Sequence, residues 1–230
     1  MSAPYLKRKE VLHIFGFDRN GTKTHATVGI TGCTPGIGVT HLAVSLCNFC
    51  ASKLKLRCAL LELHARDELS ALCSDPGFHV QNAADGERPR FTLHRVDYYP
   101  RVRSSEIPSL LNRGYDYLIL DMGALDEADV SEFLRCDRKL VYGSLAPWKL
   151  RKYEAFFEQF DHQLNLGEGF CYLVQTGNNE TLSLFSREHH IRMQSVPHID
   201  NPFRIDKDLF LFFSALLSAG DRARNISRIL

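Results

Sequence analysis

Residues 26–43 read ATVGITGCTPGIGVTHLA, and this stretch decides the fold. An apolar strand pattern from Ala26 to Thr31 runs into a glycine-rich loop. A segment from about Val39 to Lys53 follows, in which Leu42, Leu46, Phe49 and Cys50 recur at helical spacing. Strand, glycine-rich loop and helix start, in that order, are the context a phosphate-binding loop requires. Glycines let a backbone approach an anion closely. A helix N-terminus presents N–H groups without intrahelical partners at the positive end of its dipole. The residues that would form the cradle are Cys33, Thr34, Pro35, Gly36, Ile37, Gly38, Val39, Thr40 and His41.

Set against the pattern G-x-x-x-x-G-K-[ST], the loop matches in part. Gly38 takes the second glycine and Thr40 the hydroxyl that would ligate magnesium. The first glycine falls on Cys33, with Gly32 one residue away, and the lysine position is Val39.

Outward from this loop the chain alternates. Upstream, a strand from Val11 to Phe17 and an Asn-Gly turn within Asp18–Gly21 read as a hairpin leading back to the strand at Ala26. Downstream, strands are expected over Cys58–Leu63, Phe91–Tyr99, Tyr117–Asp121, Lys139–Gly143, Phe170–Thr176 and Arg192–Val196. Helices are expected over Arg66–Cys73, Ser105–Arg113, Glu127–Arg135, Pro147–Leu164, Thr181–His189 and Lys207–Ser218, and a loop over Asp75–Arg90. Several of the strands are unbroken apolar runs rather than alternating ones, as in a parallel sheet covered on both faces. The reading is an α/β fold: a doubly wound, mostly parallel sheet flanked by helices in three α/β/α layers. One P-loop NTPase-like domain is expected over 1–230, with a strand and hairpin extension over 1–26 and a C-terminal tail over 219–230.

With 230 residues the chain can bury a full α/β core. Its formal net charge of +1 gives no bulk electrostatic argument for nucleic acid or an anionic membrane. The basic residues near the start are not followed by an apolar stretch of signal-peptide length, and no run approaches a membrane span, so a cytoplasmic protein is expected. The seven cysteines are odd in number and scattered through apolar segments, which reads as reduced, buried thiols.

The loop, with Leu42–Leu46 behind it, Ala59–His64 and Tyr115–Asp121, resembles the ParA/MinD family of deviant P-loop ATPases and the related bacterial tyrosine kinases. The resemblance implies a first acidic strand end at Glu62 and a second, Walker B-like one at Asp121. It also implies ATP or ADP with magnesium as the cofactor, and Thr40 and Asp121 as the metal ligands. Partners would be proteins: a second copy, an active relative, or components of a positioning, partition, secretion or pilus system. Members of the MinD type reach membranes through a C-terminal amphipathic helix; residues 221–230 carry three arginines and a small apolar set, a weak version of that signal. The kinase branch ends in a tyrosine cluster, whereas the last tyrosine here is Tyr172.

The departures from the family decide the functional expectation. The loop lysine is Val39 and the family's signature lysine aligns with Thr34; Glu62 stands where the family has an aspartate, and His64 where another acid often lies. A hydrogen bond to a charged group contributes about 1.5–3 kcal/mol, so losing the loop lysine weakens ATP binding by roughly 10- to 100-fold. Phosphoryl transfer depends on positioned positive charge and suffers more. The expectation is therefore a regulatory or scaffold protein, a pseudo-ATPase working through partners. Two alternatives stand beside it. One is an ATPase with a cation relocated from Lys149 or Arg151; the other is a sensor that binds nucleotide or anion without hydrolysis.

Each motif also has a plain structural reading. The loop can be a strand-to-helix connection with no ligand. Thr40 and Asp121 can be a helix-start hydroxyl and a strand-end carboxylate satisfied by backbone donors. Glu62 and Asp121 are the candidate catalytic residues, and Glu62 with His64 could activate water; both could equally be polar residues at a strand edge. Cys47 and Cys50 form a C-x-x-C inside an apolar helix pattern, which reads as core. His189 and His190 read as an exposed helix end. Trp148, Tyr153, Phe156, Phe157 and Phe160 read as a core-facing aromatic stripe.

Overall fold

The computed structural model describes residues 25–74, 81–82, 90–161, 169–175 and 179–226. In chain order its first half comprises β1 (Ala26–Gly32), α1 (Val39–Ser52), β2 (Cys58–Glu62), α2 (Glu68–Ser74), β3 (Gln81–Asn82), β4 (Phe91–Leu93) and β5 (Val96–Tyr99). A 3-10 turn (Ser104–Glu106) leads to α3 (Ile107–Leu111), β6 (Tyr117–Ala124), α4 (Val130–Arg135), β7 (Arg138–Gly143) and α5 (Pro147–Asp161). The chain continues through β8 (Phe170–Gln175), α6 (Asn179–Glu188), β9 (Met193–Val196) and α7 (Lys207–Ile226).

One nine-stranded sheet gathers these strands in the order β3-β4-β5-β2-β6-β1-β7-β8-β9. From β5 to β9 every neighbouring pair is parallel. At the other edge β3-β4 and β4-β5 are antiparallel. The doubly wound, mostly parallel α/β architecture is thus as the sequence predicts.

The unbroken apolar strands are buried on both faces because alternate residues point to opposite layers. In β6, Tyr117 and Ile119 join a core with Leu42, Leu46 and Phe49 of α1 and Phe213 of α7. Leu118, Leu120 and Met122 join a second core with Phe133 of α4 and Tyr153 and Phe156 of α5. Two cores on two sides of one sheet make the three layers. Phe49 and Phe213 are fully buried, with ring centroids 5.4 Å apart; each such ring contributes roughly 2–3 kcal/mol of burial.

The α5–β7 contact shows how tightly a helix is seated. A Cβ on Gly143 would lie 2.7 Å from the Tyr153 ring. The Tyr153 hydroxyl donates to the carbonyls of Val141 and Leu173, at 3.2 and 3.0 Å. Tyr153, Phe156 and Phe157 are buried as the aromatic stripe predicts, but Trp148 is 82% exposed in the first turn of α5.

Several sequence expectations are corrected. Residues 91–99 are two strands, not one: His94 and Arg95 both adopt positive φ, 50° and 68°, and turn the chain tightly. Neither is a residue type that signals such a turn. The strand expected to stop at Asp121 runs to Ala124, because a register shift against β1 between Ile30 and Gly32 lets pairing resume. The last helix runs to Ile226 rather than Ser218, so most of the expected tail is helical. The expected loop 75–90 holds a short strand at Gln81–Asn82. His189 is not a bare helix end: its ring lies 4.7 Å from that of Phe157 and 4.2 Å from that of Phe185. The expected hairpin over 11–21 lies outside the described residues.

All seven cysteines are free. Cys47, Cys50 and Cys58 are buried in the core between α1 and β2. Burial pushes the Cys47 and Cys58 thiols well above their ordinary range, which keeps them protonated and unreactive. Among the described residues no helix is long and apolar enough to cross a membrane.

Candidate functional site

β1 lies at the centre of the sheet between β6 and β7, and the loop at its C-terminal end is where open α/β sheets place ligands. The loop leaves the sheet at Cys33, whose N–H donates to the Tyr142 carbonyl at 2.9 Å. It enters α1 through Gly38, at φ 102° and ψ 32°, a conformation a side chain would strain. No side chain caps this helix. Its first intrahelical bond runs from Leu42 N–H to Gly38 O at 3.0 Å, so the N–H groups of Val39, Thr40 and His41 precede the ladder. The strand, the loop and the helix start follow one another where the sequence reading places them.

The lysine position behaves differently from a phosphate ligand. Val39 is only 6% exposed and belongs, with Ile37, to the core shared with α1. The two side chains fold beneath the loop against Gly32, where a Cβ would lie 2.6 Å from Ile37 Cγ2 and 2.8 Å from Val39 Cγ2. Gly32 is the glycine displaced from the expected pattern, and its place is explained by this packing.

A cleft of about 160 Å³ lies over the loop. Its walls are the loop itself (Thr34, Gly36, Gly38–His41), the segment after β2 (His64, Arg66, Glu68) and the end of β6 (Gly123, Ala124). Pockets that bury a drug-sized ligand run to about 300–1,000 Å³, and this cleft is smaller than those. Of the other predicted cradle residues, Pro35 is exposed outside the lining and Cys33 is half-buried, its thiol pushed up by burial. His41 Nε2 lies 2.8 Å from the Ile199 carbonyl, tying the helix start to the segment after β9. Thr34 Oγ1 is buried without a hydrogen-bond partner among the described residues.

Two acids lie side by side beneath the cleft, because strand register places Ile30, Asp121 and Glu62 in one row across β1, β6 and β2. Both are fully buried. Glu62 is filled by backbone donors: Oε1 accepts from Glu68 N at 2.6 Å and Leu69 N at 3.2 Å, and Oε2 from Arg101 N at 3.2 Å. It thereby anchors the start of α2 and the segment after β5. Burial raises its pKa, and these backbone bonds hold the rise down.

Asp121 Oδ1 accepts from Gly123 N at 3.1 Å, while Oδ2 lies 3.3 Å from His64 Nε2. His64 Nδ1 accepts from Arg66 N at 3.4 Å, so a neutral ring carries its proton on Nε2, toward Asp121. Burial alone would lower the His64 pKa; Asp121 beside it and Glu62 behind it outweigh that and raise it. Gly123, at φ 67°, makes room for the ring: a Cβ there would lie 3.0 Å from both Cβ and Cδ2 of His64. Sequence reasoning paired Glu62 with His64 and noted Asp121 apart from them; the strand register and Gly123 bring the three together.

The cleft's exposed cation is Arg66, which sequence reasoning missed. Lys149 and Arg151 do not line the cleft. The signal available for Arg66 was its position just past a buried strand's C-terminal end. Its guanidinium forks onto Glu127, Nη2 to Oε2 at 2.7 Å and Nε to Oε1 at 3.3 Å. The Arg66 guanidinium holds the Glu127 carboxyl below its usual range. Both partners are about a third exposed, so the pair is weak and its arginine can be recruited.

Magnesium takes oxygen ligands in a strict octahedron. Asp121 has one oxygen engaged by backbone and the other facing an imidazole nitrogen, and Glu62 is filled. The donor set therefore does not fit a divalent cation as it stands, and among the described residues no group of three His, Cys, Asp or Glu side chains could hold one.

At the level of sequence, no family model and no curated protein matches the chain. Its fold does have relatives among solved structures. One is a plasmid partition protein from Borrelia burgdorferi B31 bound to AMPPNP, with a TM-score of 0.57 at 13% identity, covering 87% of this chain and all of that one. A ParA family ATPase from Chlorobium tepidum gives 0.54 at 12%, over 87% and 94%. The cell division ATPase MinD from Pyrococcus furiosus gives 0.54 at 12%, over 89% and 99%. At such identities the likeness is one of fold: the chain has the ParA/MinD-like P-loop fold.

Proposed function

We propose that this chain is a ParA/MinD-like P-loop protein that does not turn over ATP and acts as a regulatory or scaffold module through protein partners. The observation that carries the reading is the fate of the two positions phosphoryl transfer depends on. Val39 stands at the loop-lysine position and is packed into the core, and Asp121 faces His64 rather than a metal. In this reading Glu62 and Asp121 are structural, holding α2 and His64. With valine at the lysine position and the free Asp121 oxygen facing an imidazole, the site offers fewer of the positioned charges on which phosphoryl transfer depends. The solved structures that share its fold include a plasmid partition protein and a cell division ATPase, and this reading draws on that class of cellular role.

The test is phosphate release from ATP by the purified chain with magnesium, beside a thermal-shift titration with ATP, ADP and inorganic phosphate. No release is expected. Robust magnesium-dependent turnover would sink the reading and restore the ATPase. The sensor alternative is favoured by one specific feature: the uncapped start of α1 beside the unpartnered Thr34 hydroxyl. A melting shift of about 2.7 kcal/mol at 100 times the dissociation constant, without release, would move it to first place.

A further inference from the structure

We infer that His64 closes Asp121 to divalent cations, so that this P-loop site works without one. The inference rests on reading the cleft as a phosphate-loop site, and it concerns what replaces the metal there. Asp121 keeps one carboxylate oxygen, Oδ2, that its own backbone does not use, and His64 Nε2 stands 3.3 Å from it. Both side chains are buried, at 1% and 0% exposure. Neither atom has a hydrogen-bond partner among the described residues, so what joins them is a close charge contact rather than a formed hydrogen bond.

The imidazole is held in that place from its other sides. Arg66 N donates to Nδ1, which directs the Nε2 proton to the carboxylate. The ring lies against Gly123, where an added Cβ would stand 3.0 Å from it and the ring would have to give way. A cation seeking Asp121 would have to move this ring and would meet a nitrogen where it prefers oxygen. The free carboxylate oxygen already faces a buried ring nitrogen that the chain itself supplies.

Manganese serves as the probe, because its free aquo ion has a sharp paramagnetic resonance signal that disappears on binding. The intact chain, with and without inorganic phosphate, is expected to leave that signal unchanged. His64→Ala should bind manganese at least about ten-fold more tightly than the parent, and Asp121→Asn in the same background should abolish the gain. Binding of one manganese by the parent chain, lost in Asp121→Asn, overturns the inference. So does a folded His64→Ala that gains nothing; if that variant does not fold, His64→Ser and the parent titration decide instead. The outcomes separate from those of the functional reading. Manganese bound without phosphate release overturns this inference alone. Phosphate release that survives a chelator overturns the functional reading alone.

Discussion

Gly32 and Val39 are packed so closely that a methyl group on Gly32 would lie 2.8 Å from Val39 Cγ2. The residue at the lysine position is thus a strut beneath the loop. Val39→Lys is expected to lower stability by about 1–2 kcal/mol, since the lysine stem keeps part of the packing and loses the rest. It should restore no turnover, because His64 still faces Asp121. Urea denaturation and phosphate release check both halves. An unchanged midpoint with new magnesium-dependent release would mean that position 39 faces the anion after all.

Gly123→Ala should be costly for two reasons. The residue sits at φ 67°, and its new Cβ would meet His64 and Glu127 at 3.0 Å. A loss of about 1–3 kcal/mol is expected, with the His64 imidazole resonances shifted as the ring leaves Asp121. A variant within about 0.5 kcal/mol of the parent would show that the ring has freedom the packing denies.

Glu62 separates a structural from a catalytic carboxylate. Glu62→Ala strands three N–H groups, that of Leu69 buried and those of Glu68 and Arg101 part-buried, and should lose about 2–3 kcal/mol. Glu62→Gln retains an oxygen for Glu68 and Leu69 and should lose about 1 kcal/mol, chiefly at Arg101. Equal losses in the two variants, read by chemical denaturation, would contradict the bonding pattern.

The pH dependence of stability follows from His64. Its folded pKa lies above the ordinary 6.5, so its contribution is complete below pH 6.5 and disappears as pH rises through the folded value. Glu62, also raised, acts in the same direction but from pH 4.5 upward. Denaturation midpoints should therefore fall as pH rises above 6.5 in the parent. In His64→Gln that fall should be largely gone, and a parallel fall in both proteins would assign the effect to other groups.

The fold was legible because its strands carry their own signature: apolar on both faces in Cys58–Leu61 and Tyr117–Leu120, which only a doubly covered sheet satisfies. The loop was legible too, since glycine spacing and a helix start are local properties. The Asp121–His64 pair was not, because it depends on which strands are neighbours and on a register shift near Gly32. Nor was the inward turn of Val39, which depends on the empty side of Gly32 rather than on any residue type. Arg66 was missed because the resemblance directed attention to lysine positions, while the cation in the cleft comes from a loop with no motif.

The exposed indole in the first turn of α5 has a practical side. Trp148 is the chain's one tryptophan, and at 82% exposure it already resides in water. Intrinsic emission will therefore be red-shifted in the folded protein and nearly blind to unfolding, so denaturation must be followed by circular dichroism. The same property makes it a quiet reporter: it lies just beyond β7, on the edge of the sheet where the loop opens. A blue shift on mixing would signal that another macromolecule has settled over that edge.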